Sequence, residues 1–135
     1  MRSLDTNVLA RFFVDDADDP QAAKQRPAAV AALSERALVT VTVLLELEWV
    51  MRGFYTLPRS GITKALRALV GIEHIVIEDR DAVLAALDAF DAGLDFADAL
   101  HLARSARASA FATFDKQLSR RATRLASLPR IELLA

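Results

Sequence analysis

Apolar positions along the chain fall into short continuous runs separated by amphipathic stretches, and this alternation predicts an order of strands and helices. Arg2, Ser3 and Leu4 read as a brief strand ending in the polar turn Asp5-Thr6-Asn7, after which Val8, Leu9, Phe12 and Phe13 recur at helical spacing. Residues 15–20 hold four aspartates and a proline and form a loop by composition. The alanine-rich residues 21–35 predict a helix that Pro27 should interrupt, because proline has no N–H to continue the ladder. A buried strand fits residues 37–41, followed by helices over 43–53 and 60–69. A third strand fits 74–77, helices fit 80–92 and 95–107, a fourth strand 110–114 and a last short strand 131–133.

Strands that are apolar throughout, and that take turns with helices, indicate a parallel sheet covered on both faces. The expected fold class is α/β, a three-layer α/β/α sandwich with a central parallel sheet, in a single domain over residues 1–135. In such sheets ligands gather at the carboxyl ends of strands, where Asp5 and Asp115 both fall. No repeat, linker or low-complexity tract divides the chain.

Composition narrows the chemistry. The chain has 135 residues, enough for one core without cross-links. It has no cysteine, which removes disulfides, thiolate metal sites and thiol nucleophiles and makes the cytoplasm the default expectation. Its longest uncharged apolar run in the middle, residues 37–45, falls far short of the roughly 20 residues a membrane helix needs. Asp5 stands where a signal peptide would be apolar, so no secretion signal is expected. A formal net charge of -1 argues against a protein that coats nucleic acid through general basicity. Lys116, Arg120, Arg121, Arg124 and Arg130 gather near the C-terminus and form a local candidate patch, although charge runs are usually solvated surface.

The acidic residues carry the candidate chemistry. Glu46 has Val43, Trp49 and Val50 as helical neighbours, and no basic residue lies one turn away on that face. It is therefore expected on the apolar stripe, where an unpaired carboxylate marks function. Glu48 has Arg52 four residues on, which predicts a solvated surface ion pair. Asp5, Asp95 and Asp115 each precede a helix and have a capping explanation, and Asp98 has one in the first turn of its helix, where the helix dipole favours an anion. Capping explains each aspartate separately; a shared metal site explains Asp5, Glu46, Asp98 and Asp115 together. Carboxylates without cysteine or clustered histidine select a hard divalent cation, Mg2+ or Mn2+, over zinc.

Other candidates have plainer readings. The four aspartates of residues 15–20 lack the glycine and closing glutamate of a calcium loop and read as solvated. His101 follows Asp98 by one turn, yet with no paired histidine or cysteine it reads as surface or packing, and His74 is given no role. Trp49, Phe54 and Tyr55 could stack bases but read as core or interface. Ser3, Thr6 and Thr113 show no nucleophile pattern.

In order along nearly the whole chain, these residues resemble the PIN-domain family. Leu4-Asp5-Thr6-Asn7 resembles its opening motif, Glu46-Leu47 its helix-borne glutamate, Asp95-Phe96-Ala97-Asp98-Ala99-Leu100 its third motif and Thr113-Phe114-Asp115 its last. The resemblance implies a PIN-like sandwich in which Asp5, Glu46, Asp98 and Asp115 are catalytic metal-binding acids, with Asn7, Thr113 and Asp95 in support. Small size and the stretch Leu45-Glu46-Leu47-Glu48-Trp49-Val50 followed by Tyr55-Thr56-Leu57 resemble VapC toxins in particular. That implies Mg2+- or Mn2+-dependent hydrolysis of RNA, often transfer or ribosomal RNA, by metal-activated water. It also implies a homodimer and a cognate VapB-type antitoxin that wraps the toxin. Arg120, Arg121 and Arg124 are the candidates for steering the RNA backbone. The family usually carries apolar residues where Arg2 and Ser3 stand.

Two other classes compete. A Mg2+-dependent phosphotransfer domain would place a second acid beside or two residues after Asp5, where this chain has Thr6 and Asn7. A non-catalytic protein-binding PIN module would keep its acids as helix caps and use its apolar helices for association.

Overall fold

Short apolar runs pair here in register with their polar ends facing the same way. The structure, a computed structural model, describes residues 1–125 and 128–135. It divides into two compact units, Met1–Glu78 and Asp79–Ala135.

In the first unit, β1 (Arg2–Ser3), β2 (Ala37–Val39) and β3 (Ile75–Ile77) form a parallel sheet of order β1-β2-β3. Arg2 pairs with Ala37, and Ala37 with Ile75. The central strand buries Ala37 and Val39, whereas Arg2 and Ser3 are exposed and Arg2 instead reaches Glu35 at 3.1 Å. Two helices cross over between each pair of strands: α1 (Thr6–Phe13) and α2 (Pro20–Leu33), then α3 (Val41–Gly53) and α4 (Arg59–Val70). Parallel strands need such connections, and because all three strands point one way, their carboxyl ends share one edge. Asp5 begins α1 at that edge, and Glu78 ends β3 there, its Oε1 accepting the Val41 N–H that opens α3 at 2.9 Å.

Pro27 does not break α2, which runs unbroken from Pro20 to Leu33. Its missing N–H leaves the Ala23 carbonyl without a ladder partner, but Ala23 and Pro27 are both exposed, so water can take that bond. His74 gains a structural role, its Nε2 donating to the Leu33 carbonyl at 2.6 Å and tying the end of α2 to the start of β3.

Helix α3 corrects the expectations for its two glutamates. Its buried face is Val41, Leu44, Leu47, Glu48 and Met51. Glu48 is 2% exposed, and Glu46, close to opposite that face, is exposed. The helix is apolar on two sides, and the core takes the slender aliphatic side while the stripe bearing Trp49 stays outside, with Trp49 61% exposed. The ion pair of Glu48 with Arg52 forms, but from a buried carboxylate: Arg52 Nε donates to Oε2 at 2.9 Å and Nη2 to Oε1 at 3.4 Å. Phe54, 70% exposed, also lies outside the core and meets Tyr55 edge to face.

In the second unit, α5 (Arg80–Asp91) and α6 (Phe96–Ala103) are followed by β4 (Phe111–Thr113), α7 (Lys116–Ala122) and β5 (Ile131–Leu133). β4 and β5 are parallel, with Phe111 opposite Ile131 and Thr113 opposite Leu133. The core of this unit lies between α5 and α6, where Leu87, Leu94, Ala99 and Leu102 are buried and Phe90 meets Phe96 edge to face at 5.5 Å. α6 stops at Ala103, short of residue 107, as the Ser105 hydroxyl bonds the His101 carbonyl and its N–H takes the Leu102 carbonyl. The fold is α/β with parallel strand pairs throughout the described residues, paired as a three-stranded and a two-stranded sheet. No described helix is long and apolar enough to cross a membrane.

Because Arg52 is the group that reaches the buried Glu48 carboxylate, Arg52→Met should cost about 2 kcal/mol, less than a fully interior pair because Arg52 is half exposed. The double variant with Glu48→Met should recover most of it. Urea denaturation of the three proteins measures both.

Candidate metal centre

Every strand-end aspartate named above is held by the helix it opens. Asp5 is the N-cap of α1 and its Oδ1 accepts the Thr6 N–H at 2.8 Å. Asp95 caps α6 through Oδ2 on the Asp98 N–H at 3.3 Å, and Asp115 caps α7 through Oδ1 on the Leu118 N–H at 3.0 Å. Both readings of these residues are therefore compatible. A cap occupies one oxygen with a backbone N–H and fixes the carboxylate's orientation, which leaves the other oxygen for a ligand. Thr113 supports Asp115 directly, its Oγ1 accepting the Asp115 N–H at 3.0 Å. Asn7 is exposed and its side chain has no hydrogen bond among the described residues.

Within the second unit, Asp98 feels the charges of Asp95 and Asp115. Burial first, then the charges of Asp95 and Asp115, push the Asp98 carboxyl above its ordinary value, and His101 pulls it partly back. Asp98 also sits in the first turn of α6, where the helix dipole favours an anion, but desolvation and two like charges outweigh that benefit. Among the described residues no lysine or arginine side chain pairs with any of these three acids. In the first unit, Asp5 and Glu46 are both exposed carboxylates.

In the second unit Asp95, Asp98 and Asp115 offer oxygen ligands with no thiolate and no paired lysine or arginine among the described residues, a chemistry that suits a hard divalent cation. Among the described residues no three acids or histidines stand together as a formed cage.

The turn before Asp95 lies outside the residues that the sequence pattern marks as candidates. α5 closes on Gly93, whose φ of 108° suits glycine, with the Gly93 N–H on the Phe90 carbonyl and the Leu94 N–H on the Ala89 carbonyl. Leu94, 1% exposed, anchors the turn and sets where Asp95 begins α6. The signal for it in the sequence is a glycine just past a helix and just before Leu-Asp.

A family model for the PIN domain matches residues 3–123. The chain belongs to the PIN-domain family. No curated protein and no solved structure matches it significantly. PIN domains are generally metal-dependent nucleases. The PIN match takes in Asp5, Glu46, Asp95, Asp98, Thr113 and Asp115.

Two outcomes are expected. A carboxyl whose folded pKa is raised contributes fully to stability below its unfolded value, near 3.8, and that contribution is lost as pH rises through the folded value. Metal-free Asp98→Asn should therefore melt above the parent at pH 7, with the gap closing below about pH 4. Gly93→Ala should destabilise by more than about 1 kcal/mol in chemical denaturation, because alanine resists that φ.

Proposed function

We propose that this chain is the toxin endoribonuclease of a VapBC-type toxin–antitoxin pair, hydrolysing RNA phosphodiester bonds with carboxylate-bound Mg2+ or Mn2+. The PIN match over residues 3–123, which spans the motif acids in order, supports the nuclease part of this reading, and the stretch Leu45-Glu46-Leu47-Glu48-Trp49-Val50 followed by Tyr55-Thr56-Leu57, which resembles VapC toxins, supports the toxin part. On this reading residues 1–135 work as one domain in the cytoplasm, as a homodimer restrained by a VapB-type antitoxin.

Asp5, Glu46, Asp98 and Asp115 are the acids that hold the metal, with Asp95, Asn7 and Thr113 in support. Bound to carboxylates, a divalent ion supplies a water of lowered pKa and neutralises charge on the phosphodiester. The protein's part is orientation. Capped Asp5 and Asp115 each present one oxygen whose direction is set by a backbone N–H, and Thr113 fixes the backbone of Asp115. The raised pKa of Asp98 supports the same reading, since a bound cation would offset the burial and the like charges that raise it. Trp49 and Phe54, large and exposed, support a protein partner on the first unit.

Purified protein free of antitoxin should cut total bacterial RNA into discrete fragments with Mg2+ or Mn2+ and not in EDTA. Asp5→Asn and Asp98→Asn should each reduce the rate by at least about a hundredfold, and Thr113→Val by about tenfold. Folded protein that cuts nothing with either metal would favour the non-catalytic binding module.

A further inference from the structure

Apart from the acids, the second unit holds a concavity of about 240 Å³ lined by Gln117, Arg120, Arg121 and Arg124. These positions are i, i+3, i+4 and i+7, so one face of α7 and the turn after it supplies them all. Arg121 is tethered, its Nη1 donating to the Gly93 carbonyl at 3.3 Å. Arg120, Arg121 and Arg124 have no carboxylate partner among the described residues.

Three guanidiniums on one face repel one another, and a face serving only solubility would intersperse acids. In a chain of net charge -1, such an uncompensated group is a local anion site. Planar guanidinium forks match phosphate oxygens two at a time, and the Gln117 amide adds a neutral N–H donor. The volume exceeds what a bare phosphate needs and admits its ester substituents. Asp115 opens the same helix, and at 1.5 Å per residue Arg120 and Arg121 lie roughly 8 Å further along its axis. Arg124 lies one residue beyond the span matched to the PIN family.

We propose that Gln117, Arg120, Arg121 and Arg124 form a pocket for a backbone phosphodiester of the RNA, one that flanks the phosphate facing Asp115. This rests on the ribonuclease reading for its ligand. The pocket binds the strand whether or not metal is present, and it reads no base.

The test is binding without cleavage. Full-length protein in EDTA is titrated against a fluorescent oligouridylate of about ten nucleotides at several KCl concentrations. Removing one cation that neutralises a phosphate lowers the slope of log affinity against log salt by about 0.7. Arg120→Gln with Arg124→Gln should lower it by about 1.4 and weaken binding about tenfold at 0.1 M salt. Arg120→Lys with Arg124→Lys should keep the slope and bind more weakly than the parent, and this pair decides the matter if the glutamine variant unfolds. Unchanged slope and affinity in the glutamine variant, or unchanged affinity in the lysine variant, overturns the pocket. So does a polyglutamate peptide that loses affinity for the glutamine variant while the oligouridylate does not. RNA cleavage by the parent combined with an unchanged slope refutes the pocket alone. A reduced slope in the glutamine variant, with a parent that never cuts RNA, upholds the pocket and refutes the nuclease reading.

Discussion

The structure depends on one repeated interaction, a carboxylate oxygen accepting a backbone N–H at the first turn of a helix. Asp5, Asp95 and Asp115 each do this, and Glu78 does it from a neighbouring strand for α3. A helix start has N–H groups that must find acceptors, so placing an acid there satisfies the backbone and, at Asp5 and Asp115, brings a negative charge to a strand end. The same bond removes the rotational freedom that an exposed aspartate would otherwise keep. Each of these carboxylates is oriented by the secondary structure around it.

That economy has a limit, visible at Asp98. It is not a cap; burial first, then the charges of Asp95 and Asp115, push its carboxyl upward. Burial of a charge beside like charges opposes folding and must be offset nearby. The second unit offsets it with the α5–α6 core, the edge-to-face packing of Phe90 on Phe96 and the left-handed closure at Gly93. Gly93 is shared: its N–H and φ complete the turn before Asp95, and its carbonyl tethers Arg121. One residue thus positions an acid on one side and a base on the other.

Most of the fold is legible in the sequence because its elements are short and their punctuation is chemical. Strand ends, the caps and the helix order all follow from apolar runs closed by aspartate, threonine or glycine. What is not legible is which side of α3 faces the core. Val41, Leu44, Leu47 and Met51 form one apolar stripe, and Val43, Trp49 and Val50 form another around Glu46. Residue spacing finds both and favours neither; burial of the first reverses the expectation for Glu46 and Glu48. Pro27 departs from its expectation for a related reason, since its cost depends on whether the carbonyl it orphans meets water.

The exchange of roles on α3 removes burial as a reason to read Glu46 as a ligand and leaves its exposed surroundings to account for. A buried glutamate, Glu48, is accounted for by Arg52 at 2.9 Å and has no need of a ligand. Glu46 is exposed among apolar neighbours, Val43, Trp49 and Val50, where helix surfaces ordinarily carry mixed charge. A water-facing stripe whose polar groups are one carboxylate and the Thr42 hydroxyl gives little advantage to an isolated helix. It does suit a surface where something docks and where one charge must meet a counter-charge. Its surroundings on α3 are a physical reason for an acid at that position, and the ligand role proposed for Glu46 rests on motif order alone.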